Sequence, residues 1–273
     1  MRYESMDIIK VDSKNTRLIS DGGCGYLEPN NSYAAFMASC NRMYLGVKCD
    51  IRFTKDRVII TSRYRDLKKL TKQKIHISLT NYEELKQIPI GSNNLCYMST
   101  LKDFLLLCDR YRKLACIELH PPIGKHELTQ LFEEIKELNM IKKVKIISTD
   151  IKYLKFIRNL DFDILLELRS NNFSDHLFFD AIKYHLDITL PQMKLSKDLV
   201  DMCHESRLKI GTYNINDPIN ALITCELGID YIYTYTKKQV SLITTLDNVE
   251  VYNVKLNKKL FQKENKNHKT ITL

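Results

Sequence analysis

The sequence predicts a closed (β/α)8 barrel with a β-hairpin insertion after strand 2. Two patterns carry this prediction. Eight β-rich runs alternate with helical periods between residues 16 and 234, and a chain of 273 residues accommodates eight such units as a barrel better than as an open sheet, which at this size usually has fewer strands. The alternation breaks once: a strand beginning at Gly46 is followed, after Thr54-Lys55-Asp56-Arg57, by a second β-rich run from Val58 to Thr61. So short a connection allows an antiparallel hairpin but not a parallel crossover, which needs about a dozen residues. The hairpin, Lys48 to Thr61, is expected over the C-terminal mouth of the barrel.

In chain order, Thr16 to Ser20 is a short strand ending in Asp21-Gly22-Gly23. A loop with Pro29, Asn30 and Asn31 then leads into an amphipathic helix, Ser32 to Ala38, with a polar cap. In the next strand Val47, Cys49 and Ile51 alternate with Lys48, Asp50 and Arg52. Three charged side chains therefore share one face, which must look into water or into a site. An irregular stretch follows the hairpin, with a short helix from Asn81 to Leu85 and a longer one through Leu101, Phe104, Leu105 and Cys108 that Ser99 or Thr100 caps. Strands are then expected at Leu114 to Leu119, Val144 to Ile147, Ile164 to Leu168, Ile188 to Leu190, Leu208 to Tyr213 and Tyr231 to Thr234. Helical periods at Leu128 to Leu138, Ile151 to Ile157 and Leu199 to His204 separate them.

A hydrophobic content of 44% and the lack of a Gly/Ser/Pro-rich linker suit one main domain, residues 16–245, with an N-terminal extension over 1–15 and a lysine-rich tail over 246–273. No segment approaches the roughly 18 to 20 apolar residues of a membrane span, and MRYESMDIIKVDSKN has no apolar core preceding a cleavage site. A cytoplasmic protein is expected. The eight cysteines are scattered with no CxxC pair and read as reduced core thiols. Of the formal charge of +9, six lysines against Glu264 from Tyr252 onward supply +5. The excess sits in the tail, and with no nucleic-acid-reading motif in the body, nucleic acid is not an expected partner. Tyr231, Tyr233 and Tyr235 alternate with Ile232 and Thr234 and read as strand packing.

In such barrels function gathers at the C-terminal strand ends. The candidates there are Asp21, Asp50, Glu118, His120, Ser148, Asp150, Glu167, Tyr213, Asn214 and Asn216. Ser148 and Asp150 also suit a helix cap, Asn216-Asp217-Pro218 suits a helix start, and Glu167 suits an ordinary inward polar position.

The order of these pieces resembles the glycerophosphodiester phosphodiesterase family, a TIM barrel. Ser20-Asp21-Gly22-Gly23, Pro29-Asn30-Asn31-Ser32 and Ala35-Phe36 stand where that family has His-Arg-Gly, Pro-Glu-Asn-Thr and an Ala-Phe helix. Lys48-Cys49-Asp50-Ile51 through Thr54-Lys55-Asp56-Arg57, ending in Arg63-Tyr64, resembles Glu-x-Asp-Val-x-x-Thr-Lys-Asp-Gly and a strand ending in His-Asp. Ser99-Thr100-Leu101, Ile117-Glu118-Leu119-His120, Tyr213-Asn214-Ile215-Asn216-Asp217-Pro218 and Gly228 to Thr234 resemble Pro-Thr-Leu, Ile-Glu-Leu-Lys, Trp-Thr-Val-Asn-Asp and Gly-Val-Asp-Gly-Ile-Ile-Thr. The resemblance implies hydrolysis of glycerophosphodiesters, hence lipid metabolism, by two histidines around a divalent metal held by carboxylates.

The departures fall on the chemistry. The two histidine positions are Asp21 and Arg63, and no histidine precedes His76. Of the metal-associated acids, two are replaced by Asn30 and Lys48, leaving Asp50 and Glu118 as remnants, and Pro29 fixes the backbone between Glu28 and the lost acid. General acid-base groups contribute roughly 10²- to 10⁴-fold each. An ammonium about 4 Å from a cation opposes it by about 4 kcal/mol per unit charge at an effective dielectric near 20. The expectation is a family member that has lost catalysis and needs no cofactor, with Lys48 as a built-in cation beside Asp50 and Glu118. Its mouth binds a phosphate or phosphodiester small molecule through Lys48, Arg52, Arg63, His120 and Tyr213. Two alternatives stay open: an active phosphodiesterase using Mg²⁺ or Ca²⁺ with Asp21 or His120 in proton transfer, and an interaction scaffold whose protein partner the sequence does not name.

Overall fold

The computed structural model describes residues 8–9, 16–234 and 252–253, apart from 26, 43, 72, 92–95, 216 and 217. Eight parallel strands close on themselves: β1 Arg17–Asp21, β2 Gly46–Phe53, β3 Leu114–Leu119, β4 Val144–Ser148, β5 Leu165–Arg169, β6 Asp187–Pro191, β7 Ile210–Tyr213 and β8 Tyr231–Thr234. Closure is made by β8 pairing with β1 (Tyr231 opposite Arg17) while β1 also pairs with β2 (Ile19 opposite Gly46). Helices α1 Tyr33–Cys40, α2 Leu101–Arg110, α3 Lys125–Glu137, α4 Ile151–Leu160, α5 Asp175–Tyr184, α6 Lys197–Glu205 and α7 Pro218–Glu226 follow β1 to β7 in turn, and the β2 to β3 crossover also carries two short helices, Lys68–Thr71 and Tyr82–Leu85. The barrel expected from the alternation is the barrel observed. No helix among the described residues is long and apolar enough to cross a membrane.

Local chemistry accounts for most element ends. Ser32, Thr100, Asp150, Ser174 and Ser196 cap α1, α2, α4, α5 and α6 with side-chain oxygens, Thr100 in a capping box with Asp103. Several boundaries differ from the periodicity, among them those of α3, α6 and β7. Helix α3 starts at Lys125, three residues before its first apolar position, and α6 starts behind its Ser196 cap. Strand β7 starts at Ile210 because the Leu208 amide is spent on Cys203 O at 2.9 Å, closing α6.

The extension of β2 pairs antiparallel with a return strand, Ile59–Thr61, in the register Ile51 to Thr61 and Phe53 to Ile59. Thr54 closes the turn, accepting from the Val58 amide at 2.9 Å and donating to Asp56 at 2.6 Å, and Arg57 takes a left-handed φ of 65°. The stretch beyond, irregular by sequence, has its own small core of Ile60, Leu67, Ile77, Leu85, Ile90, Cys96 and Met98.

Alternate strand residues divide the remaining interior. Val47, Cys49, Ile51, Ala115, Ile117, Leu119, Val144 and Ile146 face outward into the helical layer, where the Phe36 and Phe104 rings meet at 4.7 Å, tilted by 59°. All eight cysteines are buried free thiols. The inward positions are unusually polar. Lys145 is fully buried, with Nζ 3.2 Å from Glu167, 2.7 Å from Asp187 and 3.7 Å from the centre of the Tyr231 ring. Glu167 also accepts from Tyr233 Oη at 2.6 Å and Thr189 Oγ1 at 2.5 Å. Tyr231 and Tyr233 are thus interior packing, and Tyr235 lies outside the described residues.

Removing one partner of a buried ion pair costs about 3 to 5 kcal/mol because the other charge is stranded. Lys145→Met should therefore lower unfolding stability in urea by about 3 kcal/mol, whereas Lys152→Met on the exposed face of α4 should stay within about 0.5 kcal/mol. A loss below about 1 kcal/mol in Lys145→Met contradicts a buried ammonium there.

Candidate functional site

The first strand ends at Asp21, and Gly22 and Gly23 turn the chain with φ of 71° and 84°. Only glycine fits at Gly23: a Cβ would lie 2.6 Å from the Ala35 carbonyl carbon. The loop returns through Asn31, whose amide donates to Gly22 O at 2.8 Å and whose φ of 61° asparagine tolerates better than most side chains. Asn31 then fixes Asp50 from both sides, donating from Nδ2 to Asp50 Oδ2 at 2.9 Å and accepting from the Asp50 amide at 2.8 Å.

Pairing places Asp21 opposite Lys48, and Asp50 opposite Glu118. The inward face of β2 thereby meets acids on both neighbouring strands. Lys48, 1% exposed, has Nζ 2.8 Å from Asp21 Oδ1 and 3.2 Å from Asp50 Oδ1, and in contact with Glu118 Oε2. His120 Nε2 lies 2.6 Å from Asp50 Oδ1. Glu118 is held from its other side by Arg169, whose Nη1 is 2.8 Å from both carboxylate oxygens. The Arg169 guanidinium lies over the rings of Tyr213 and Tyr233 at 4.9 and 5.3 Å.

The ionisation states follow from these contacts. Burial alone would lower the Lys48 pKa, but Asp21, Asp50 and Glu118 together hold it well above the ordinary 10.5. Burial likewise opposes charge on Asp50 and Glu118. Lys48, His120 and Asn31 outweigh it at Asp50, and Lys48 with Arg169 outweighs it at Glu118, so both stay below the ordinary carboxyl range. Asp21 is the exception: burial outweighs Lys48, and its carboxyl is raised.

Asp50, Glu118 and His120 offer two oxygens and a nitrogen within 4.8 Å of one another, a donor set that a divalent ion could use. The same Asp50 Oδ1 and Glu118 Oε2 are the atoms that Lys48 touches. A metal ion would have to displace or neutralise an ammonium that three acids hold in its charged form, so the residues present do not fit a divalent ion while Lys48 is protonated.

The expected mouth residues do not converge on one space. Asp21 and Arg63 line a cavity of only about 40 Å³ together with Asn30, Asn31 and Asp50, close to the room one water takes up. Arg52 and His120 line a separate cavity of about 450 Å³. Lys48 is spent on carboxylates, and Tyr213 donates to Asn171 Oδ1 at 3.0 Å. Ser148 and Asp150 serve the cap of α4, and Glu167 lies inward with Lys145. Asn214 is exposed in a left-handed turn, Asn216 lies outside the described residues, and Glu28 accepts from the Cys96 thiol at 3.2 Å. Arg169 and Lys145 were not among the candidates. The period-2 spacing of Arg169 from Glu167, and a lysine inside a buried parallel strand, were their signals.

The family model of the glycerophosphoryl diester phosphodiesterase family matches residues 22–236. No curated protein matches the chain. Solved structures with the same fold include a phosphodiesterase from Oleispira antarctica in complex with its product sn-glycerol-3-phosphate (19% identity, TM-score 0.75, 85% of this chain and 98% of that chain). Others are glycerophosphodiester phosphodiesterases from Parabacteroides distasonis (18%, 0.73, 85% and 95%) and Thermotoga maritima (18%, 0.67, 85% and 98%). With a match over that much of its length, and a closed barrel to go with it, the chain belongs to the glycerophosphoryl diester phosphodiesterase family.

Proposed function

We propose that this family member binds a phosphate ester without hydrolysing it, and that Lys48 takes the place of the catalytic cation. The observation that carries this reading is the Lys48 ammonium among Asp21, Asp50 and Glu118. Three further features support it. Asp21 and Arg63 stand where the family has its two histidines, and an arginine side chain does not give up its proton in a protein. The space between them is too small for a glycerophosphodiester. The product bound by the Oleispira relative is a phosphate ester, which gives the ligand class. In this reading the barrel domain runs over residues 16–245, of which 235–245 lie outside the described residues, and the free thiols suit a reducing, cytoplasmic compartment.

A second reading has an observation in its favour: the Asp50, Glu118 and His120 donor set, with His120 hydrogen-bonded to Asp50. In it, the protein is an active phosphodiesterase that binds Mg²⁺ or Ca²⁺ after Lys48 swings out. Release of glycerol 3-phosphate from glycerophosphocholine, assayed with chelator and with Mg²⁺ or Ca²⁺, separates the two. Background turnover in every condition is expected; metal-dependent turnover that vanishes in Asp50→Ala would establish the second reading instead.

The ion cluster also predicts a pH signature. Asp50 and Glu118 have lowered native pKa values, so they contribute stability that is present above their unfolded values, near 3.8 and 4.5, and is lost as pH falls through the native ones. Asp21, raised, works in the opposite direction and softens that limb. In Lys48→Met the cation that lowers both acids is gone. Wild type should exceed Lys48→Met by about 3 kcal/mol at neutral pH, and the gap should shrink as pH drops below about 5, where the variant's acids take up protons first. A gap that stays constant down to about pH 3 contradicts the cluster.

A further inference from the structure

We infer that the cavity between the extension of β2, residues 76–78 and the loop after β3 is a binding site for a phosphorylated small molecule with an apolar body. The inference rests on the phosphate-ester reading above but moves the ligand out of the carboxylate cluster. Three guanidiniums line this cavity, Arg52, Arg57 and Arg65, and Arg57 is paired with Glu127; Arg52 and Arg65 are the two that matter here. Arg52 donates to His120 O at 3.2 Å and Arg63 O at 3.0 Å, and Arg65 donates to Pro121 O at 2.8 Å. These partners are backbone carbonyls, and among the described residues neither guanidinium has a carboxylate in ion-pair contact. Inside the barrel, by contrast, Lys48, Lys145 and Arg169 are each matched by acids.

The like charges are close enough to matter. Burial, and then the Arg65 charge, hold the Arg52 guanidinium below its ordinary range against the opposing pull of Asp50. An anion between them relieves that repulsion. Lys55 and His76 add donors to the wall, while the cavity's acid, Glu127, is taken by Arg57 at 2.9 Å. The central cluster sets three carboxylates against two cations, so it does not attract a phosphate, and the neighbouring cavity does. Planar guanidiniums match phosphate oxygens in paired hydrogen bonds. The volume, about 450 Å³, falls in the small-ligand range, and Phe53, Ile77, Pro122 and Ile123 offer apolar surface for the rest of the molecule.

Calorimetric titration of the full chain in chelator with inorganic phosphate, with phenyl phosphate, and with phosphatidylcholine vesicles doped with phosphatidate tests the site. Saturable binding is expected, tighter for phenyl phosphate than for phosphate, weakened about tenfold or more in Arg65→Ala, and unchanged in Lys152→Ala on the exposed face of α4. Arg65 is exposed, so its variant should fold, and Arg65→Lys, which keeps charge but loses the fork, should fall between. Vesicle binding that depends on Arg65 identifies a lipid headgroup as the source; binding of phenyl phosphate alone identifies a soluble ester. No saturable binding of any probe at millimolar concentration, or binding that Arg65→Ala leaves intact, overturns the inference. Turnover is not read in this experiment, so a hydrolytic wild type would refute the proposed loss of catalysis and leave this site standing.

Discussion

The ion cluster at Lys48 is the constraint on which the mouth of the barrel depends. Strand pairing sets Asp21, Lys48 and Glu118 on three adjacent strands, with Asp50 two residues beyond Lys48 on the same inward face. Three buried acids so arranged repel one another unless a cation sits between them, and the unpaired charge of even one would cost several kcal/mol. In this chain that cation is covalently attached. Its cost is specificity of place: Lys48 can stabilise charge on Asp21, Asp50 and Glu118, but it cannot leave, take up substrate oxygens or lower the pKa of a bound water as a metal ion does. Arg169 completes the arrangement from β5, and Asn31 and His120 use the remaining Asp50 lone pairs. Each carboxylate of the site is therefore in contact with a cation of the chain itself.

The same balancing recurs one layer deeper, where Lys145 meets Glu167 and Asp187 beneath the Tyr231 ring. An interior this polar folds because nearly every charge on it finds an opposite charge in the register of the sheet. The two guanidiniums beside the loop after β3 break that pattern, being held by carbonyls alone. Arg52 lies on the extension of β2, and Arg65 just beyond the return strand.

Much of this was legible in the sequence. Alternation of period 2 with period 3.6 predicted the barrel, and the charged face of Lys48, Asp50 and Arg52 predicted an inward-looking polar strand. The pairing of Lys48 with Asp50 followed from one shared face, and that with Glu118 from the family resemblance, which put it on the neighbouring strand. Asp21 as a third partner did not follow, because it depends on the stagger between β1 and β2, which no local pattern encodes. Arg169 was missed because the strand was expected to end at Leu168, one residue short, and the cation fell into the loop. The stretch from Ile60 to Met98 read as irregular because its core residues are unevenly spaced. The expected anion mouth was one list of cations; which of them are already spent on acids, and which are free for a ligand, is settled only by three-dimensional contacts.

The central claim is that Lys48 occupies the role of a metal ion, and Lys48→Glu tests it by turning the cation back into an acid. Thermal melts of wild type and variant, each in chelator and in millimolar Mg²⁺ or Ca²⁺, read the result directly. The account predicts a wild type indifferent to metal, and a variant that melts lower in chelator and recovers by several degrees when metal neutralises its acids, as linkage requires of any ligand that binds only the native state. A wild type stabilised by metal as strongly as the variant would contradict it.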